Sequence, residues 1–148
     1  MKTDNETKDN LLASAKREFM EKGYEKASLR SICRSTGVTT GALYFFFKDK
    51  EDLFAAIVQP TLDRIIALLS QHTKQELMEI QEHPDAKEDN MQDDMVASKM
   101  ILQSLYKDYD NILLLLTKSQ GSRYEHCIDE FVDMLQQSYQ ILSKEQAN

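Results

Sequence analysis

Residues 28–54 read SLRSICRSTGVTTGALYFFFKDKEDLF, and their spacing decides the fold. Ser28 is a good N-cap for a short helix whose Leu29, Ile32 and Cys33 share one face, and Gly37 follows as a breaker able to take positive φ. Only Gly37 and Val38 separate that helix from Thr39, a second N-cap, so another helix begins almost at once. This is helix-turn-helix spacing.

Rotation at about 100° per residue sorts the aromatic run of the second helix. With Leu43 facing the core, Phe47 lies about 40° to one side and Phe46 about 60° to the other, so both can pack with it. Phe45 lies about 200° away, with Gly41 and Lys48 on the same outward side. An exposed aromatic beside Thr40, Gly41, Tyr44 and Lys48 suits a helix in a DNA major groove. There apolar groups meet thymine methyls, glycine permits close approach, and Lys or Tyr reach phosphate oxygens. Periodicity alone leaves a second reading open, in which Phe45 packs on another part of the protein.

Working outward, Leu11, Leu12, Ala15 and Phe19 form one stripe of a first helix over 8–22, stopped by Gly23. On the other side Asp49 is an N-cap for a fourth helix, with Asp52 in its first turn complementing the dipole and Lys50 placed to join free amides as a phosphate anchor. The apolar residues Leu53, Phe54, Ile57, Val58, Leu62, Ile65, Ile66 and Leu69 carry that helix onward. Pro60 interrupts it, as either a hinge or a static bend near residues 56–60.

From Ser70 to Asp94 the chain is polar and acidic, which predicts a loop or frayed helix. Helical periodicity resumes at Met95, Met100, Ile101, Leu105 and Tyr109 and runs through residues 111–116. Gly121 breaks it, and Ser122 with Glu125 forms a capping box for a last helix lined by Ile128, Phe131, Val132, Leu135, Tyr139 and Leu142. With 4 Gly and 2 Pro in 148 residues, breakers are few and the expected class is all-α.

The net charge of −7 is unevenly spread. Residues 1–58 hold 10 Lys and Arg against 9 Asp and Glu, while residues 59–148 hold 8 against 16. A near-neutral first part can present a basic face; the acidic second part has another job. No uninterrupted apolar run reaches the roughly 18 residues of a membrane span, and the polar start is unlike a secretory signal. A cytoplasmic chain without a membrane partner is expected. Cys33 and Cys127 sit in apolar helical patterns and read as buried thiols rather than a disulfide.

Enzymatic readings find no support in the motifs. There is no phosphate-cradling glycine loop, serine elbow, HExxH or CxxC. His72, His83 and His126 are scattered, and adjacent His126 and Cys127 diverge by about 100° on a helix. No catalytic residue, metal or cofactor is assigned, and the chain is read as no enzyme. Met91, Met95 and Met100 suit either an adaptable apolar pocket or plain core, and Tyr106, Tyr109 and Tyr124 either pocket tips or helix-end contacts.

Residues 28–54, with LLASAKREFMEKGYEKASLRSIC over 11–33 leading into them, resemble the DNA-binding signature of the tetracycline-repressor (TetR/AcrR) family of bacterial transcriptional regulators. The ordered set Phe19, Gly23, Ser28, Ile32, Gly37, Gly41, Leu43, Tyr44, Phe47, Lys50 and Leu53 carries the resemblance over roughly the first 55 residues. It implies a three-helix DNA-binding head over residues 1–55, whose third helix reads the major groove, and a helical ligand-binding and dimerisation body over residues 56–148. It also implies that Thr40, Gly41, Ala42 and Phe45 approach bases, while Ser28, Arg30, Thr39, Tyr44, Lys48 and Lys50 hold phosphates or the flanking groove. Phe46 departs from the pattern, standing where many members carry a backbone-contacting histidine, and is left out of the contact set.

The implied partners are a near-palindromic double-stranded operator, an apolar or aromatic small effector and a second copy of the chain. The helix in the groove carries few long polar side chains, so specificity should lean on apolar contacts and DNA shape. The alternative is a helical protein-interaction module that keeps its helix-turn-helix only for packing. Relatives in this family dimerise through a final helix pair, so a sequence ending soon after one C-terminal helix is expected to leave the 128–142 face exposed and the dimer weak, altered or missing.

Overall fold

Seven helices account for the regular structure of residues 3–82 and 91–146, which are the residues that a computed structural model describes. They are α1 (Asp4–Lys22), α2 (Leu29–Thr36), α3 (Thr40–Phe46), α4 (Lys50–Glu82), α5 (Met91–Lys107), α6 (Tyr109–Thr117) and α7 (Cys127–Gln146). No strand occurs among the described residues, in keeping with the all-α expectation.

Local caps set most of these boundaries. The Thr3 hydroxyl accepts from Glu6 N–H at 3.2 Å, so α1 starts at Asp4, four residues before the expected residue 8, with Asp4 and Glu6 favouring the dipole. Gly23, at φ 77°, ends it. Ser28 accepts from Ser31 N–H at 3.3 Å to open α2, and Gly37 closes it in the left-handed region at φ 69°, ψ 16°. Thr39 accepts from Ala42 N–H at 3.1 Å to open α3. Asp49 caps α4 through Asp52 N–H at 2.8 Å, and the Asp52 carboxylate accepts in return from Lys48 N–H at 2.9 Å.

Two expectations are corrected. The polar stretch after Ser70 is helical as far as Glu82, because it lacks Gly and Pro, is rich in good helix formers and carries i,i+4 pairs at His72–Glu76 and Gln75–Glu79. Helix resumes at Met91, and residues 83–90, including His83, lie outside the described residues. The last helix starts at Cys127 and not at Ser122. The Ser122 hydroxyl donates to Ser119 O at 2.6 Å, and Glu125 accepts from Gly121 N–H at 2.9 Å, which makes a turn instead of a capping box.

The chain divides into two compact units: residues 1–61 with 110–127, and residues 62–109 with 128–148. The first is built on a chain of rings. Phe19 meets Phe54 edge-on at 4.9 Å, Tyr24 meets Phe54 at 5.2 Å, and Tyr124 joins Phe54 at 5.9 Å. Leu11, Ile32, Leu43, Leu53, Val58 and Leu114 are fully buried around them. Cys33 and Cys127 are both buried and free, as expected.

In the second unit Arg64 donates from both Nε and Nη2 to one Asp108 carboxylate oxygen, at 2.9 and 2.6 Å. None of its described side chains is fully buried. By length and composition α4 could cross a bilayer, with mean hydropathy 1.5 over its most apolar window. A third of that window is buried, with Leu53, Phe54, Ala55, Ile57 and Val58 inside the first unit.

Candidate nucleic-acid interface

The surface in question is α3, held from behind. Leu43 is fully buried, and Phe47, in extended backbone at φ −132°, turns a buried ring inward beneath Lys8 of α1, whose ammonium lies 5.9 Å from the ring centre. The opposite face is open: Phe45 is 76% exposed and Tyr44 55%. Thr39, Thr40, Gly41 and Lys48 are exposed beside them, and Ala42 is half-buried. Phe46 is only half-buried, which corrects its expected place against Leu43. It meets Phe45 edge-on at 5.0 Å and leans on Phe47 at 6.4 Å, so it braces the outward ring from the side.

Gly41 has no structural reason within its own chain. A Cβ there would meet only Thr39 Oγ1, at 4.0 Å, and its φ is not positive. Helical glycine costs about 0.5–1 kcal/mol against alanine, a cost that packing within the chain does not require at this position.

The cations divide into two groups. Arg30 and Lys48 are exposed and form no ion pair among the described residues. Lys50 is engaged elsewhere: its ammonium donates to Glu25 O at 3.1 Å and Ala27 O at 3.4 Å and lies 4.6 Å from the Tyr24 ring centre. It pins the α1–α2 turn to the start of α4, which sequence spacing could not reveal. Ser28, half-buried, is tied to its capping role. Arg34, one turn after Arg30 on α2, is also exposed and was not singled out; the i,i+4 spacing was its signal.

Beneath α2, Glu18 accepts from Lys22 Nζ at 2.7 Å, Ser28 N–H at 3.2 Å and the Ser31 hydroxyl at 3.1 Å. Burial pushes its carboxyl up, but these bonds and the Lys22 charge outweigh it and hold the pKa below the ordinary value. Burial, then the bond to Glu51, drives the Tyr24 phenol well above its usual range. Cys33 is likewise pushed up by burial, an inert thiol.

The family model described as "Bacterial regulatory proteins, tetR family" matches residues 11–57, the stretch that builds α1 to α3 and the start of α4. Over that stretch the chain is similar to the DNA-binding head of tetR-family regulators. Among curated relatives, the HTH-type transcriptional repressor BepR of Brucella suis is 42% identical over 53 residues, 36% of this chain and 25% of BepR. The transcriptional regulator AcrR of Shigella flexneri is 46% identical over 52 residues, 35% of this chain and 24% of AcrR. The repressor AcnR of Corynebacterium glutamicum is 35% identical over 72 residues, 49% of this chain and 38% of AcnR. The chain thus aligns with well under half the length of these relatives.

A solved transcriptional regulator (TerR/AcrR family) from Aquifex aeolicus VF5 superposes with a TM-score of 0.63 at 24% identity, covering 95% of this chain and 77% of that one. At that identity the likeness shows the fold alone.

Proposed function

We propose that this chain is a DNA-binding transcriptional regulator, a ligand-responsive repressor that places α3 in the major groove. The observation that carries this reading is α3 itself: a seven-residue helix with a buried back, an outward Phe45 and a Gly41 that nothing in the protein requires. Thr40, Gly41, Ala42 and Phe45 face the bases. Arg30, Thr39, Tyr44 and Lys48 hold the backbone, Ser28 sits at the flank, and Lys50 acts by fixing the start of α4 more than by reaching phosphate.

The operator is read as near-palindromic and bound by a twofold dimer, one head per half-site. The dimer is supported by the exposed apolar residues of the second unit, Ile128, Val132, Tyr139 and Ile141 on α7 among them. An apolar or aromatic effector suits the exposed thioethers Met95 and Met100 of α5; the Met91 side chain lies outside the described residues. The names of the curated relatives, repressors and regulators, agree with this role and not with a bare interaction module.

The test is enrichment of duplexes from a random pool, followed by mobility shifts across a salt series. Binding through phosphates must weaken steeply as salt rises. A chain that enriches no duplex, or whose binding ignores salt, refutes the reading.

A further inference from the structure

Residues 37–47 carry no Arg, Lys, Asn, Gln, Asp or Glu. That composition limits what α3 can read. Guanine and adenine are singled out in the major groove by paired hydrogen bonds from Arg, Lys, Asn or Gln, and cytosine by a carboxylate acceptor. None of those groups stands on the helix or on the turn before it. With the Tyr44 hydroxyl assigned to the backbone, the outward face offers a base edge one short hydroxyl, on Thr40, and otherwise carbon surface. The major-groove feature that carbon surface can recognise is the 5-methyl group, which projects from thymine and from no other unmodified base.

The face has a shape that fits such a group. Gly41 and Ala42 precede Phe45 by four and three residues, so they lie about 40° and 60° from it around the helix, one turn back. A Cβ at Gly41 would meet only Thr39 Oγ1, at 4.0 Å, so the Phe45 ring does not close over that spot. An open notch results, with Gly41 as its floor and Ala42 and the Phe45 ring at its sides. Phe46 stands at 86° to Phe45 with ring centres 5.0 Å apart, which braces the outward ring by an edge contact and needs no polar tether. On the flanking elements the exposed cations Arg30, Arg34 and Lys48 supply the charge that draws in a phosphate backbone.

We propose that the head recognises the 5-methyl group of a pyrimidine as such, and that its binding therefore responds to cytosine methylation. In 5-methylcytosine the same methyl occupies the same point of the groove, so that base stands in for thymine. This assignment rests on the DNA-binding reading and deepens it by naming what the notch between Gly41 and Phe45 takes. Phe45 touches the methyl, and Phe46 is a positioning residue behind it.

The test uses the native chain and a duplex that it has enriched. Each thymine in turn is replaced by deoxyuridine, which removes the methyl and keeps the pairing. Mobility shifts at fixed salt are expected to show a loss of about fourfold, the burial of one methyl, at particular thymines of each half-site and none at the others. At those positions a cytosine–guanine pair should bind weakly, and 5-methylcytosine should recover about fourfold over cytosine. Phe45 is exposed, so Phe45→Ala leaves the core intact and should bind the thymine and deoxyuridine duplexes equally. Gly41→Ala fills the notch and Phe46→Ala removes the brace; both should lower the ratio between the two duplexes. Lys48→Ala should weaken binding and leave that ratio at its native value, which a general loss of affinity by the other variants would not reproduce.

The outcomes separate the two readings. A native chain that enriches no duplex overturns the DNA reading itself. Sequence-selective binding that ignores deoxyuridine at every position, an enriched half-site without thymine, or cytosine bound as well as 5-methylcytosine leaves the DNA reading standing and overturns the methyl assignment; duplex shape then carries the specificity. A thymine preference that survives Phe45→Ala overturns it as well, because another group must then meet the methyl.

Discussion

The two compact units bury apolar surface in opposite ways. Every fully buried side chain among the described residues belongs to residues 1–61 or 110–127, where four rings and the aliphatics of five helices close a core. Residues 62–109 and 128–146 carry apolar stripes of similar richness, yet Met78, Met95, Met100, Leu102, Tyr106, Val132 and Tyr139 stay exposed. The first unit closes a core of its own, whereas the second leaves apolar faces exposed. A second copy of the chain is the occupant proposed above.

The comparison is broken most directly at the centre of the first unit. Phe54→Ala removes the ring that Phe19, Tyr24 and Tyr124 share and is expected to destabilise the fold by about 3–5 kcal/mol in denaturant unfolding. An effect of that size from Val132→Ala in dilute solution would contradict the contrast.

Glu18 gives the next largest effect. Its carboxyl is held below the ordinary value of 4.5, so the folded state binds fewer protons there than the unfolded chain near and below that pH. The stabilisation is fully present above about pH 4.5 and is lost as pH falls through the depressed folded value. Glu18→Ala should cost about 1–3 kcal/mol at neutral pH, chiefly by stripping partners from Ser28 N–H and Ser31, and should flatten the acid limb of the stability profile.

For the second unit, Val132→Asp sets a charge on the exposed stripe of α7. Light scattering should report a shift from dimer toward monomer, with the dissociation constant raised about tenfold or more, while the unfolding of the first unit is unmoved. A native chain that is monomeric at all concentrations would remove the proposed dimer.

Gly41→Ala sharpens the contrast between stability and function within the head. Thermal unfolding should show stabilisation of about 0.5–1 kcal/mol, because the glycine relieves no clash, while DNA affinity falls. The same sign for both measurements would show that Gly41 serves the fold alone. The smallest effect is Lys48→Ala: binding weakens about equally on all sequences, and the salt slope drops by about 1. Phe45→Ala should instead flatten the preference among sequences.

Much of the head was legible because its signals are short-ranged. Thr39 reaches Ala42, Ser28 reaches Ser31 and Asp49 reaches Asp52, each three residues away, and Gly23 and Gly37 provide the positive φ that ends their helices. The outward direction of Phe45 follows from rotation alone once Leu43 is taken as buried. Phe46 shows the limit of that argument: 60° from the reference is near the boundary of the stripe, and the packing of Phe45 and Phe47 left it half-buried. The stretch after Ser70, expected as a loop or frayed helix on its polarity, is regular helix to Glu82 because its residues are good helix formers.

By itself, then, the order of residues determined the caps, the helix-turn-helix and the face of α3 that is open, since each depends on atoms within about one helical turn. Only the tertiary structure decided that Lys50 serves two carbonyls, that Ser122 bends a turn instead of capping α7, and that Glu51 meets Arg123 across 72 residues. Such pairings depend on how the chain returns, and a return is fixed by the packing of whole helices, which no local spacing encodes.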